Sequence, residues 1–220
     1  MNNTQLFQNL PILKVIAGIE NFDAGNIREV AEAANGIATA IDVSTDEASV
    51  RWIKAHTDLS VFVSSLDPKA LAASIDWGTD WVELGNFQPI YDRGAVINPE
   101  MVITWTKELV SLVKGHAGIC VTLPGVLDLK TQIQLAQELE TLGAELIQIE
   151  NISGDISHVA PIQAAVNIPV MLSGKLSANN LSDAVKTGAE AFGVGAAIRK
   201  ADDMKQYIQQ LQGQLQGVRV

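Results

Sequence analysis

Short β-branched runs alternate with longer amphipathic segments along the whole of this 220-residue chain, and the alternation repeats eight times. The runs fall at residues 12–19, 37–43, 60–64, 81–85, 119–123, 146–149, 169–172 and 191–195. Helical patterns follow at 24–34, 46–55, 68–76, 99–114, 129–142, 156–166, 178–187 and 202–211. Strands this apolar, each followed by a helix, specify a parallel sheet covered on both faces. Eight units of roughly 25 residues close into a (β/α)8 TIM barrel near the lower end of that fold's usual size. The expected organisation is one α/β barrel domain over residues 1–220. An open doubly wound sheet would carry a nucleotide signature. Neither G-x-G-x-x-G after the first run nor G-x-x-x-x-G-K-[ST] is present.

The segment 129–142 shows the local logic. Asp128 can cap it, Leu129, Ile133, Ala136 and Leu142 fall near one face, and Gly143 can stop it. The long connection from Asn86 to Asn98 follows the fourth strand, so in a barrel it lies at the C-terminal mouth as a candidate lid.

Charge narrows the function classes. With 15 Lys and Arg against 25 Asp and Glu, the net charge is −10, which disfavours nucleic acid and anionic membranes. Cys120 is the lone cysteine, so neither an internal disulfide nor a Cys-based metal cluster is expected, as suits a reducing compartment. The start, MNNTQLFQNLP, has no signal or transit character, and no apolar run approaches the length of a membrane span. A cytosolic-type protein is expected, with a homo-oligomer left open.

The most informative stretch is IPVMLSGKLSANNLSDAVKTGAEAFGVGAAI. The seventh strand ends in Ser173-Gly174-Lys175, Ser177 is placed to cap a helix, and the eighth strand ends in Gly193-Val194-Gly195-Ala196. Loops after strands seven and eight of phosphate-binding barrels offer converging N–H groups to a phosphate, and glycine permits close approach. The pattern resembles the S-G-G-[IL] and G-x-G-S-A-I pairs of ribulose-phosphate-binding barrels, which include epimerases, isomerases, lyases and thiamine-phosphate synthase. It departs twice: Lys175 replaces a glycine and adds a cation, and Ala196 replaces a serine and removes a hydroxyl. FMN-binding barrels use the same corner, so the pattern names a phosphate and not a substrate. Ser173, Gly174, Lys175, Gly195 and Ala196 are the candidate phosphate ligands.

Polar residues stand where a barrel wants apolar ones. Lys14 lies inside the first strand and must pair with a carboxylate or lose its charge. Asp42, Glu83 and Glu150 lie at or near the ends of strands two, four and six, and Gln148 shares the parity of Glu150. Lys14, Asp42, Glu83 and Glu150 form the candidate catalytic set: carboxylates as general acid and base, with Lys14 or Lys175 as electrophile or Schiff-base nucleophile. The bland alternative is a buried charge network that fixes the barrel. Mg²⁺ on the three acids is the weaker cofactor option, as no metal-binding motif accompanies them. His56 and His116 read as surface or capping groups, His158 as a surface group at a helix start from which it could reach the mouth, the four tryptophans as helix–sheet packing, and Cys120 as core. Lys-Val-Ile-Ala-Gly is similar to the first strand of phosphoribosylanthranilate isomerase. Ala17 stands at that family's catalytic cysteine, so the activity is not carried over.

Several segments taken together, LKVIAGIENFD, DWVELGNF, CVTLPGVLDLKTQIQLAQELETLGAELIQIEN and GVGAAI, cover most of the chain from Leu13 to Ile198. They resemble the conserved hypothetical chloroplast open reading frame twenty-three family of cyanobacteria and plastids. The resemblance implies the barrel and a setting in cyanobacterial cytosol or plastid stroma, and supplies no reaction. The expected function is a phosphate-binding barrel enzyme, a lyase, isomerase or epimerase on a small phosphorylated metabolite. The alternatives are a non-catalytic metabolite-binding regulator and an FMN-binding redox barrel.

Overall fold

A computed structural model describes residues 6–7, 10–85 and 87–217. Eight strands pair in sequence order, all parallel, and the eighth closes on the first. They are β1 (Ile12–Gly18), β2 (Ala40–Ser44), β3 (Ser60–Ser65), β4 (Trp81–Leu84), β5 (Gly118–Leu123), β6 (Leu146–Glu150), β7 (Val170–Ser173) and β8 (Ala191–Val194). The helices are α1 (Ala24–Ala34), α2 (Glu47–His56), α3 (Pro68–Ser74), α4 (Gln88–Tyr91), α5 (Pro99–Val113), α6 (Leu129–Leu142), α7 (Val159–Gln163), α8 (Leu181–Val185), α9 (Ala196–Arg199) and α10 (Met204–Gly217). The closed barrel is the expected one.

Acidic and amide caps set five of the helix starts. Asp23, Asp46, Asp67, Asn98 and Asp128 each accept a backbone N–H from the first turn of α1, α2, α3, α5 and α6, a contribution of about 1 kcal/mol apiece. Gly143 ends α6 in the left-handed region, as expected.

Differences from the sequence expectation have local causes. The α7 helix is five residues long because the segment before it bonds to itself: Asn151 Oδ1 accepts from Gly154 N, and Asp155 Oδ1 from Ser157 N. Ser177 does not cap α8. Its N–H instead bonds to Asn180 Oδ1, and the helix begins at Leu181. The β2 strand starts at Ala40, since Ile37 and Ala38 still bond back to the end of α1. Two short helices, α4 and α9, were not expected. Both lie in loops at the mouth, and Asn86, where the expected lid connection begins, lies outside the described residues.

Apolar residues fill two regions. The larger lies between strands and helices, with Val15, Ile41, Val63, Val82, Val121 and Ile147 facing outward. The smaller is inside the barrel at its N-terminal end, built from Ile12, Ala40, Phe62, Trp81, Cys120, Leu146, Met171 and Ala191. Trp81 therefore packs inside the barrel and not against helices. Its ring stacks on Phe62 at 5.4 Å, and Phe7 meets it edge-on at 5.8 Å. Gly118 makes this floor fit: a Cβ there would lie 2.4 Å from the Trp81 ring. Above the aromatic floor the interior turns polar.

Candidate functional site

The second rung of β1 carries Lys14, fully buried and ringed by acceptors. Its Nζ donates to Glu83 Oε2 and, at 2.8 Å, to Gln148 Oε1, and lies 4.8 Å from the centre of the Phe62 ring. Gln148 Nε2 donates in turn to Glu83 Oε1 at 2.7 Å and Thr122 Oγ1 at 3.1 Å. Burial is the largest influence on Lys14 and opposes its charge, but Glu83 and Asp42 outweigh it and hold the pKa above the ordinary value. Lys14 is thus a locked cation, which does not suit a Schiff-base nucleophile.

Asp42 is the next acid along the wall. Ser64 Oγ donates to its Oδ1, and its Oδ2 is buried with no hydrogen-bond partner among the described residues. Burial, reinforced by the like charge of Glu83, raises its pKa to about 7 against the opposing pull of Lys14, Ser64 and Arg199. Two buried carboxylates share one interior cation, and Asp42 is the one left near neutrality.

Glu150 stands apart from this pair. It lies at the rim, accepts from Gly125 N at 3.2 Å, and neighbours Tyr91 of α4. Burial first, and then the Glu150 charge, hold the Tyr91 hydroxyl well above its usual pKa. The connection that carries α4 reaches the opposite rim as well, where Arg93 pairs with Glu20. Both Glu83 oxygens are occupied by Lys14 and Gln148, so the expected Mg²⁺ reading on Asp42, Glu83 and Glu150 does not fit these donors. Among the described residues no group of three or more His, Cys, Asp or Glu could hold a metal ion.

The expected phosphate ligands come together. Ser173, Gly174, Lys175, Gly195 and Ala196 line one cavity of about 310 Å³ between the β7 and β8 loops. Lys175 is exposed and has φ 53°, in the left-handed region. Sequence reasoning missed Arg199, which lines the same cavity. Its Nη1 donates to Ile16 O at 2.5 Å, across 183 residues of chain. Burial lowers its pKa and the Asp42 charge opposes that, so the guanidinium links the corner to the buried acid. Gly195 makes room for it: a Cβ there would lie 2.9 Å from Arg199 Nη1.

His158 reaches neither the mouth cavities nor a capping bond. His56 Nδ1 lies 2.7 Å from Trp52 O at the end of α2, a terminal role as expected.

A family model described as "Protein of unknown function (DUF561)" matches residues 2–164. The chain belongs to this family. A relative described as ycf23 from Antithamnion sp. is 33% identical over 229 residues, covering 90% of this chain and 82% of that protein. The ycf23 protein of Porphyra purpurea is 27% identical over 216 residues, covering 90% and 81%. Among solved structures, this DUF561 chain is similar to 3-hexulose-6-phosphate synthase from Salmonella typhimurium, with TM-score 0.75, 15% identity, and coverage of 94% and 99%. KGPDC from Streptococcus mutans gives TM-score 0.74 at 14% identity, covering 96% and 100%. Thiamine phosphate pyrophosphorylase from Pyrococcus furiosus gives 0.71 at 18%, covering 96% and 98%. At these identities the likeness concerns the fold. No helix among the described residues of this DUF561 protein is long and apolar enough to cross a membrane.

Proposed function

We propose that the protein is an enzyme, a lyase, isomerase or epimerase, acting on a small phosphorylated metabolite in cyanobacterial cytosol or plastid stroma. The observation that carries this reading is the corner cavity, where Lys175 and Arg199 flank the glycine loops after β7 and β8. Two cations and close backbone approach suit a phosphate that anchors the remote end of the substrate. Ser173, Gly174, Lys175, Gly195 and Ala196 hold it, and Arg199 adds a contact that also faces the reacting end.

Chemistry then falls to the buried acid. A carboxyl group with a pKa of about 7 can exchange a proton near neutral pH, and Ser64, which bonds it and lines the mouth, would relay that proton. Asp42 is that group in our reading. Lys14 supplies fixed positive charge for an enolate-like intermediate, and Glu83 and Gln148 position Lys14. Glu150, beside Tyr91 of α4, serves the second proton transfer at the rim. Phosphorylated compounds named in the structural relatives, hexulose 6-phosphate in one and thiamine phosphate in another, support this class of ligand.

Calorimetric titration with inorganic phosphate and ribulose 5-phosphate tests the reading. Gly195→Val should weaken both by about tenfold or more, with an unchanged circular dichroism spectrum. Equal affinity in the variant, or no binding by the parent protein, overturns it.

A further inference from the structure

A second cavity opens at the same mouth, on the β1–β3 side, with a volume of about 240 Å³. Ile19, Phe22, Leu66 and Ile90 give it apolar walls, Ile90 coming from the lid helix α4. Its polar groups are largely committed elsewhere. Ser64 bonds to Asp42, Ser65 Oγ accepts from Asp67 N at 3.1 Å, and Glu20 pairs with Arg93. Thr45 remains to meet one polar atom of a ligand. Apolar cavities of about 150 Å³ already admit benzene, so the space suits an aromatic ring or a branched alkyl group.

Two further observations tie this cavity to the reacting centre. Ile19 lines both it and the phosphate corner, so the two are neighbouring parts of one mouth. Ser64, on its floor, holds the carboxylate of Asp42. Strands β8 and β3 are three spacings apart at about 4.8 Å each, which puts the cavities about 14 Å apart along the barrel wall. The mouth also exposes apolar side chains. Phe22 is 62% exposed, Val96 77%, Val126 51% and Leu129 40%, and all four lie in or beside loops after strands. Exposed apolar side chains gathered at one opening mark a surface that meets apolar matter.

We infer that this cavity is a specificity subsite for an aromatic or branched apolar group on the same substrate, whose phosphate sits in the corner. The substrate class is then a phosphate monoester with a hydrophobic end, its reacting carbon between the two cavities beside Asp42. A plain sugar phosphate would leave the apolar walls unfilled. The assignment of both ends to one molecule rests on the proposed phosphate corner. The subsite itself does not.

Amide-resolved NMR separates the two. 4-Phenylbutanol should shift the amides of Ile19, Thr45, Ser65 and Leu66, whereas inorganic phosphate should shift those of Gly174, Lys175, Gly195 and Ala196. In calorimetry, 4-phenylbutyl phosphate should bind about tenfold or more tightly than ribose 5-phosphate. Thr45→Trp, which fills the cavity, and Phe22→Ala, at an exposed side chain, should both remove that preference while leaving inorganic phosphate affinity unchanged. Silence of the first four amides toward 4-phenylbutanol, or a preference that survives Phe22→Ala and Thr45→Trp, overturns the subsite. Silence of the second four toward phosphate overturns the corner alone. Equal or tighter binding of ribose 5-phosphate overturns the hydrophobic substrate class.

Discussion

Ser64 donates its hydroxyl hydrogen to one carboxylate oxygen of Asp42, while the other oxygen, equally shut off from solvent, has no hydrogen-bond partner among the described residues. A carboxylate solvated on one side only holds its proton to a higher pH than one bonded on both. The pH dependence of folding should report this. Asp42 has a folded pKa of about 7 against an ordinary 3.8. Between those values the folded chain keeps a proton that the unfolded chain has lost, so stability falls as pH rises through the window. The slope from this group approaches about 1.4 kcal/mol per pH unit. Asp42→Asn should flatten it, read as urea midpoints from pH 4 to 8. An unchanged slope in the variant would show that other groups carry the titration.

Breaking the buried ion pair should cost more than removing it whole. Lys14→Met leaves the Glu83 carboxyl without its cation in the barrel interior, and the expected loss is about 3–5 kcal/mol. Lys14→Met combined with Glu83→Gln should recover a large part of that loss. If the double variant is as unstable as the sum of the two single ones, the pair is not the coupled unit described above.

Lys175 occupies a backbone position that favours glycine, with φ 53°. Lys175→Gly should stabilise the fold by about 1 kcal/mol. It should also weaken phosphate binding by about tenfold, the equivalent of one charge-assisted contact. Chemical denaturation and calorimetry on the same sample give both signs. A variant that is neither more stable nor weaker in binding would remove any role for this side chain in the corner.

Imine chemistry should fail at both lysines. Lys14 is held protonated by Glu83 and Asp42, and Lys175 is exposed without the apolar enclosure a Schiff-base lysine needs. Borohydride treatment in the presence of keto- or aldehyde-phosphates should therefore give no stable mass adduct at either residue. An adduct mapped to Lys14 would mean that substrate binding displaces Glu83.

The barrel was legible because period and length act on every strand at once, so errors at single positions do not move the answer. That Gly174 and Gly195 would line one cavity was legible for a related reason: they sit at the ends of neighbouring strands, where the backbone must turn. Arg199 was not legible. Its site lies in a helix of four residues, too short to leave a periodic signal, and its partner is the carbonyl of Ile16. The acids read as equivalent because each ends or nearly ends a strand. Only depth separates them, with Asp42 and Glu83 sealed inside the barrel and Glu150 at the rim. Trp81 was read as helix–sheet packing because its strand parity gives no hint that Gly118, one strand over, has made room for an indole inside the barrel.

The aromatic floor has a consequence for traffic. Phe62, Trp81 and Phe7 stopper the far end of the barrel, so nothing passes through it from end to end. Whatever enters from the mouth has to back out the way it came, past the same α4 segment. On the function proposed above, a proton taken up by Asp42 would share that confinement, because its route to bulk water would run along the bound molecule itself. Such a site would return the hydrogen it removed before solvent could replace it, and turnover in heavy water would then leave the recovered product largely unlabelled.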